Sequence, residues 1–339
     1  MVAIEGLLTL LSVKGLGNVS VNKLLMTFGD PLKVFDAHLD EISSVVGLEK
    51  AKRIKNLEGV DESKVNRTVA IIKREGYKTL TILDPEYPSG LRGLGDSPSV
   101  LFYVGCVKNV KLVGVVGSRR ASFYSLSFVD RLIRGLVSAG YGTVSGGAMG
   151  VDNRVHVSTI SEHGYTVCVP GCGLLHFQND LMDKIREGNG LILSEFLPEE
   201  RGSRYTFPKR NRIIAAMSEF LVIPEAGSKS GALITAKYAY KLGKDIYAYV
   251  GMGSRKRWEG CKSVINSGAA KLVMGAEDIL KERGCVIESD DTVLRLLNRP
   301  KTFDELEQET GIYGRDLLEI LSVLELEGKI KRFGSFYST

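Results

Sequence analysis

Lys111-Leu112-Val113-Gly114-Val115-Val116-Gly117-Ser118-Arg119-Arg120-Ala121 is the stretch from which the fold is read. Leu112, Val113, Val115 and Val116 form a short apolar run, the pattern of a parallel strand covered on both faces. Gly117 and Ser118 are then expected to open a helix that continues from Ser122 to Ser138. Such a junction presents unpaired backbone N–H groups and a partial positive charge, a natural seat for phosphate. Arg119 and Arg120 add fixed charge there, although a tight turn with solvated arginines would use the same residues.

From Leu112 onward, apolar runs alternate with helical segments at the spacing of an α/β fold, an extended Rossmann-like doubly wound parallel sheet. Strands are expected at Leu112 to Val116, Gly142 to Ser145, Thr166 to Val169, Leu191 to Ser194, Phe220 to Ile223, Ile246 to Tyr249 and Lys271 to Val273. Such sheets bind ligands beyond the carboxyl ends of their strands, so the loops that follow them carry the argument. Those loops hold Gly117-Ser118-Arg119, then Ser145-Gly146-Gly147-Ala148-Met149-Gly150, Pro170-Gly171-Cys172-Gly173 and Pro224-Glu225-Ala226-Gly227. The dinucleotide fingerprint is absent, since His176 stands where a third glycine would follow Gly171 and Gly173. No Gly-x-x-x-x-Gly-Lys-Ser/Thr phosphate loop occurs either. No cofactor is expected.

The second cluster runs from Arg201 to Arg212 and holds five cations, two aromatics and no acid. Pro208 suits the first turn of a helix continuing through Ile213, Ile214 and Ala216, which sets Lys209 and Arg210 at its positive end. Cations there oppose the helix dipole, so an anion is the expected partner of Lys209, Arg210 and Arg212. Aromatics among cations suit a flexible single strand, whose phosphates pair with Lys and Arg while its bases stack. Asp152 and His156 are four apart on one helix and could form an acid–base pair, but with no nucleophile or metal set nearby a structural pair, the carboxylate orienting the imidazole, is the favoured reading. Arg255, Lys256, Arg257 and Trp258 extend the basic character or form a solvated loop.

The flanks differ in character. Residues 1–80 read as helical, with Val13-Lys14-Gly15-Leu16-Gly17 and Ser44-Val45-Val46-Gly47-Leu48 as two hairpin turns of a helix-hairpin-helix or SAM-like domain, or of a plain helical bundle. Asp84 to Gly105, with Pro85, Pro88 and Pro98, reads as a linker ending in a strand at Val100 to Val104 and leading into a central domain over 81–285. Residues 286–339 have a winged-helix layout: helices at Asp291 to Leu297, Thr302 to Glu309 and Arg315 to Glu327, then a hairpin turning at Phe333 and Gly334. The last helix carries Asp316, Glu319, Glu325 and Glu327 against one Arg, which disfavours a DNA-reading role.

A chain of 339 residues, 44% hydrophobic and 25% charged, suits two or three globular domains, and its net charge of +5 permits an anionic partner. No apolar run is long enough to span a membrane, and Glu5 near the start argues against a signal peptide. Cys106, Cys168, Cys172, Cys261 and Cys285 are scattered and odd in number, as in a reducing, cytoplasmic setting, and lack the spacing of a metal site.

Five motifs together carry a resemblance. Val-Val-Gly-Ser-Arg-Arg (115–120), Val-Ser-Gly-Gly-Ala-Met-Gly-Val-Asp (144–152), Leu-Ser-Glu-Phe-Leu-Pro (193–198), Phe-Pro-Lys-Arg-Asn-Arg-Ile-Ile-Ala (207–215) and Ser-Gly-Ala-Leu-Ile-Thr-Ala (230–236) resemble the DNA-processing protein A family, DprA or Smf. The resemblance implies a non-enzymatic recombination mediator. Such a protein binds single-stranded DNA, forms a homodimer through the Rossmann-like domain, and helps load a RecA-type recombinase during natural transformation. Carried over by motif, it also implies DNA contacts by Arg119, by Ser145, Gly146 and Gly147, and by Lys209, Arg210, Asn211 and Arg212; the reading of the residues themselves adds Gly117, Ser118 and Arg120 at the first turn and Phe207 as a ring open to stacking. Two places depart from the family pattern. Gly173-Leu174-Leu175-His176-Phe177-Gln178-Asn179 replaces its Tyr-Pro loop, and Tyr249-Val250-Gly251 stands where Pro-Gly is usual. The alternative class is a nucleotide-binding or nucleotide-hydrolysing enzyme of the same architecture, with Glu195 or Glu225 as general acid or base.

Overall fold

Each apolar run becomes a strand because helices cover the sheet on both sides, leaving nearly every strand residue of its centre buried. The structure is a computed structural model and describes residues 3–252, 254–284, 293–294 and 296–339. Cys285, the side chain of Arg255, and Asp291, Thr292 and Arg295 of the helix expected over 291–297 lie outside the described residues. The chain divides into two compact units, Met1–Ala276 and Glu277–Thr339.

The first unit is built on nine strands: β1 (Lys78–Thr81), β2 (Val100–Gly105), β3 (Leu112–Val115), β4 (Gly142–Ser145), β5 (Thr166–Cys168), β6 (Leu191–Ser194), β7 (Phe220–Ile223), β8 (Asp245–Ala248) and β9 (Lys271–Leu272). Their order is β1-β2-β6-β5-β4-β3-β7-β8-β9. From β6 to β9 all pairings are parallel, with Val113 opposite Thr143 on one side and Phe220 on the other. The chain winds outward from β3 through β4, β5 and β6, then crosses back to β7 and winds the other way. The topological switch therefore lies between β3 and β7, the position where such sheets open a ligand crevice.

The sheet is not wholly parallel. β2 runs antiparallel to β6, and β1 antiparallel to β2, with Leu80 opposite Leu101. Lys78–Thr81 falls within the residues read as helical, and of its four residues only Leu80 is buried, as suits an edge strand. The stretch expected as a linker is also packed. Tyr87 and Leu91 are buried, the Tyr87 hydroxyl donates to the Pro98 carbonyl at 2.8 Å, and Gly90 lies so close to the Ala216 carbonyl that a Cβ would collide with it. This segment forms a cover over the helix Thr206–Met217.

Six helices precede the sheet, from Ala3–Ser12 to Glu62–Glu75. Gly15 at φ +80° and Gly47 at φ +85° make the two turns expected between helix pairs. The first turn is tied inward, since the Lys14 amide donates to the Glu58 carbonyl at 2.8 Å. In the second unit, helices Phe303–Thr310 and Arg315–Leu326 accompany a small antiparallel sheet of Lys301–Thr302, Lys331–Phe333 and Phe336–Ser338. Gly334, at φ +62°, makes the hairpin turn, and Leu306, Leu317, Leu321, Leu324, Ile330 and Tyr337 form its core. Among the described residues no helix is long and apolar enough to cross a membrane.

Candidate nucleic-acid interface

The loop after β3 behaves differently from the sequence expectation. The helix begins at Phe123 with Ser122 as its N-cap, so Gly117 and Ser118 belong to a loop that precedes it. Glu225, from the loop after β7, is buried and accepts from the Ser122 amide at 2.9 Å and the Ser122 hydroxyl at 2.6 Å. A carboxylate from within the protein thus fills the seat expected for phosphate, which satisfies the helix N-terminus electrostatically. Arg257 completes the knot by lying 3.3 Å from the other Glu225 oxygen and donating to the Arg120 carbonyl at 2.7 Å. The Ser118 amide donates to the Glu225 carbonyl at 2.9 Å, and the side chains of Arg119 and Arg120 remain exposed.

The basic cluster on the helix Thr206–Met217 splits into two sets. Arg210 is only 4% exposed and donates to the carbonyls of Gly146, at 2.6 Å, and Val169. Its Nε donates to Asn211 Oδ1 at 3.0 Å, and Asn211 is itself buried. Arg212, 3% exposed, lies 2.5 Å from Glu195 Oε2 through Nη2 and 3.2 Å from Asp96 through Nε. Lys209 reaches the same Glu195 oxygen at 3.3 Å, but half of its side chain is exposed. The anion inferred from the dipole conflict is therefore supplied in part by Glu195, immediately after β6. Arg210, Asn211 and Arg212 form a buried floor, whereas Lys209 stands at the surface.

The glycine loop after β4 packs onto this floor. Ser145 is buried and its hydroxyl donates to the Val115 carbonyl at 2.6 Å. A Cβ on Gly146 would come within 2.5 Å of Arg210 and 2.6 Å of Asp152. Gly147 adopts φ +71°, and a Cβ there would meet Phe177 and Cys168. These glycines let interior groups approach the backbone. Burial raises the Asp152 carboxyl above the ordinary carboxylate range, with the Arg210 charge opposing it. His156 lies four residues on, but its Nδ1 faces Thr166 Oγ1 at 2.7 Å, and burial lowers its pKa to about 3. A neutral imidazole hydrogen-bonded to a threonine is the structural pattern, not an acid–base pair with Asp152.

Above the floor lies a rim of exposed cations and aromatics. Arg119 sits over the Phe207 ring with its guanidinium carbon 5.1 Å from the centroid, and Arg204 sits 4.8 Å over Tyr205. Phe207 also packs against Gly171 and Gly202, which joins the loops after β3, β5 and β6 at one ring. Arg119, Arg120, Arg201 and Arg204 are exposed, and among the described residues none has a carboxylate partner. Glu195 and Glu225, the carboxylates of the enzymatic alternative, both have buried side chains held by arginine. Glu195 as the anchor of Lys209 was not legible as such, because only folding brings β6 beside this helix.

Fold and site together define a Rossmann-like protein with a cationic rim at its topological switch. The DNA recombination-mediator protein A family matches residues 78–284, and the chain belongs to that family. DNA processing protein DprA of Streptococcus pneumoniae is 36% identical over 211 residues, 61% of this chain and 74% of that protein. The X-ray structure of the Streptococcus pneumoniae protein superposes with a TM-score of 0.70 at 30% identity, covering 83% of this chain and 98% of that one. DNA processing protein A from Helicobacter pylori, solved for its single-stranded DNA binding mode, gives a TM-score of 0.54 at 28% identity, covering 61% of this chain and 95% of that one.

Proposed function

We propose that this chain binds single-stranded DNA along the exposed rim of the crevice and acts as a recombination mediator without catalysis. The observation that carries this reading is the exposure of Arg119, Arg120, Arg201, Arg204 and Lys209 on the loops after β3 and β6 and the helix that follows, with Arg119 over Phe207, Arg204 over Tyr205 and no carboxylate on the four arginines among the described residues. Exposed cations meet phosphates, while Arg210, Asn211, Arg212, Ser145, Gly146 and Gly147 hold the rim in place from below. Gly117 and Ser118 present the arginines. Nothing at the rim resembles an edge-reading set for bases, so binding is sequence-tolerant.

The mediator role extends this to a homodimer that hands the strand to a RecA-type recombinase in the cytoplasm during natural transformation or homologous recombination. Three modules divide the work: a helical helix-hairpin-helix or SAM-like domain over 1–80, the DNA-binding domain over 81–285, and a winged helix over 286–339. The acidic helix Arg315–Leu326 makes the last module a protein-contact element more readily than a duplex reader.

The test is fluorescence anisotropy of labelled oligothymidine and of a matching duplex with the full chain. Preferential single-strand binding is expected, with Lys209→Ala and Arg119→Ala each weakening it about 5- to 10-fold, the value of roughly 1 kcal/mol per exposed charged contact. Equal affinity for duplex, unchanged in both variants, would move DNA contact to the flanking modules.

A further inference from the structure

The rim aromatics are not equivalent. Phe207 is half-buried against Gly171 and Gly202 and has Arg119 over its ring, and Tyr205 carries Arg204 in the same way. A base that stacked on the arginine-covered face of either ring would first have to displace that arginine, although Tyr205 is itself 69% exposed. Phe123 and Tyr124, which no motif singled out, are 80% and 49% exposed. Their rings meet edge to face, with centroids 6.3 Å apart and planes at 72°. That geometry leaves the broad face of the Phe123 ring open.

The backbone beneath them is held firmly. Ser122, immediately before Phe123, is bonded twice to the buried Glu225. Arg120, three residues before, has its carbonyl held by Arg257 and its amide donating to the Ser118 hydroxyl at 3.1 Å. Aromatic rings left this exposed on a fixed backbone are costly to keep in water and give little to the core. Arg119 and Arg120 precede the pair within five residues, so phosphates held by the arginines would bring the next bases within reach of the rings. Cations interleaved with open aromatic faces are the pattern that unpaired bases recognise.

We propose that Phe123 and Tyr124 form a stacking shelf for unpaired bases of the DNA strand, a subsite distinct from Phe207. The inference rests on the reading of the rim as the DNA site. It is specific for nucleobases carried on a single strand, because a duplex keeps its base faces covered by its own stack.

The experiment compares oligothymidine with an abasic oligonucleotide of equal length on the full chain, as wild type and as Phe123→Ala, alongside Lys209→Ala. Phe123→Ala should lower affinity for oligothymidine roughly 5- to 150-fold and leave the abasic strand within about twofold. Lys209→Ala should lower both. A Phe123→Trp variant gives a direct signal, its added emission being quenched by oligothymidine and not by the abasic strand. If Phe123→Ala binds oligothymidine as wild type does while Lys209→Ala loses both strands, the shelf is refuted and the rim stands. If wild type binds no single strand, both fall. A Phe123→Ala variant with wild-type affinity and an altered sedimentation state would make the pair an interface between copies and also overturn the shelf.

Discussion

Replacing Arg210 by methionine is expected to destabilise the first unit by about 3–5 kcal/mol, the cost of removing one partner from a buried charged network. The guanidinium is 4% exposed and satisfies the carbonyls of Gly146 and Val169. Without it, both carbonyls and the buried Asp152 lose their counterpart, and methionine offers only volume. For a domain of this size the loss corresponds to a fall in Tm of roughly 6–20 °C, read by circular dichroism. Below that temperature the variant should still bind oligothymidine. A variant that melts like wild type but no longer binds would show Arg210 to be a direct DNA contact.

The second large effect is at Glu195 and Arg212. Both are almost fully buried and lie 2.5 Å apart. Arg212→Met leaves the Glu195 carboxylate with only the half-exposed Lys209, at 3.3 Å, and is expected to cost about 3–5 kcal/mol in urea unfolding. Replacing both, as Glu195→Leu with Arg212→Met, removes the unpaired charge along with its partner. The double variant should therefore be more stable than the sum of the two losses by about 1–3 kcal/mol. Strict additivity would contradict a coupled buried pair. Burial raises the Glu195 carboxyl and the Arg212 charge opposes this, so the single Arg212 variant should also hold a proton on Glu195 to higher pH.

Much of the central sheet was legible because strands covered on both faces leave an uninterrupted apolar record, as in Leu112–Val115 and Phe220–Ile223. The edge strand Lys78–Thr81 left no such record, since one of its four residues is buried and the others read as ordinary surface. The candidate site was read by location alone. Counting five cations between Arg201 and Arg212 treats every cation as facing water, whereas Arg210 and Arg212 are buried. A signal to the contrary was present: Ile213, Ile214, Ala215 and Ala216 make the C-terminal half of this helix apolar on every side and buried, which draws the preceding arginines inward with it. Their partners Asp96, Asp152 and Glu195 lie far away in the chain, where local reading cannot pair them. Phe123 and Tyr124 were hidden for the opposite reason, because aromatics at the start of an expected helix read as core.

In the proposed complex exposed rim cations hold the strand while buried arginines build the floor. The most direct test is the salt dependence of oligothymidine binding by the full chain. Some four to six phosphate contacts predict a slope of log K against log salt of about −3 to −4. Arg119→Ala and Lys209→Ala should each make it shallower by about 0.7, and Arg210→Met, studied below its melting temperature, should leave it unchanged. A slope altered by Arg210→Met and untouched by Arg119→Ala and Lys209→Ala would place the phosphates in the floor and contradict the account.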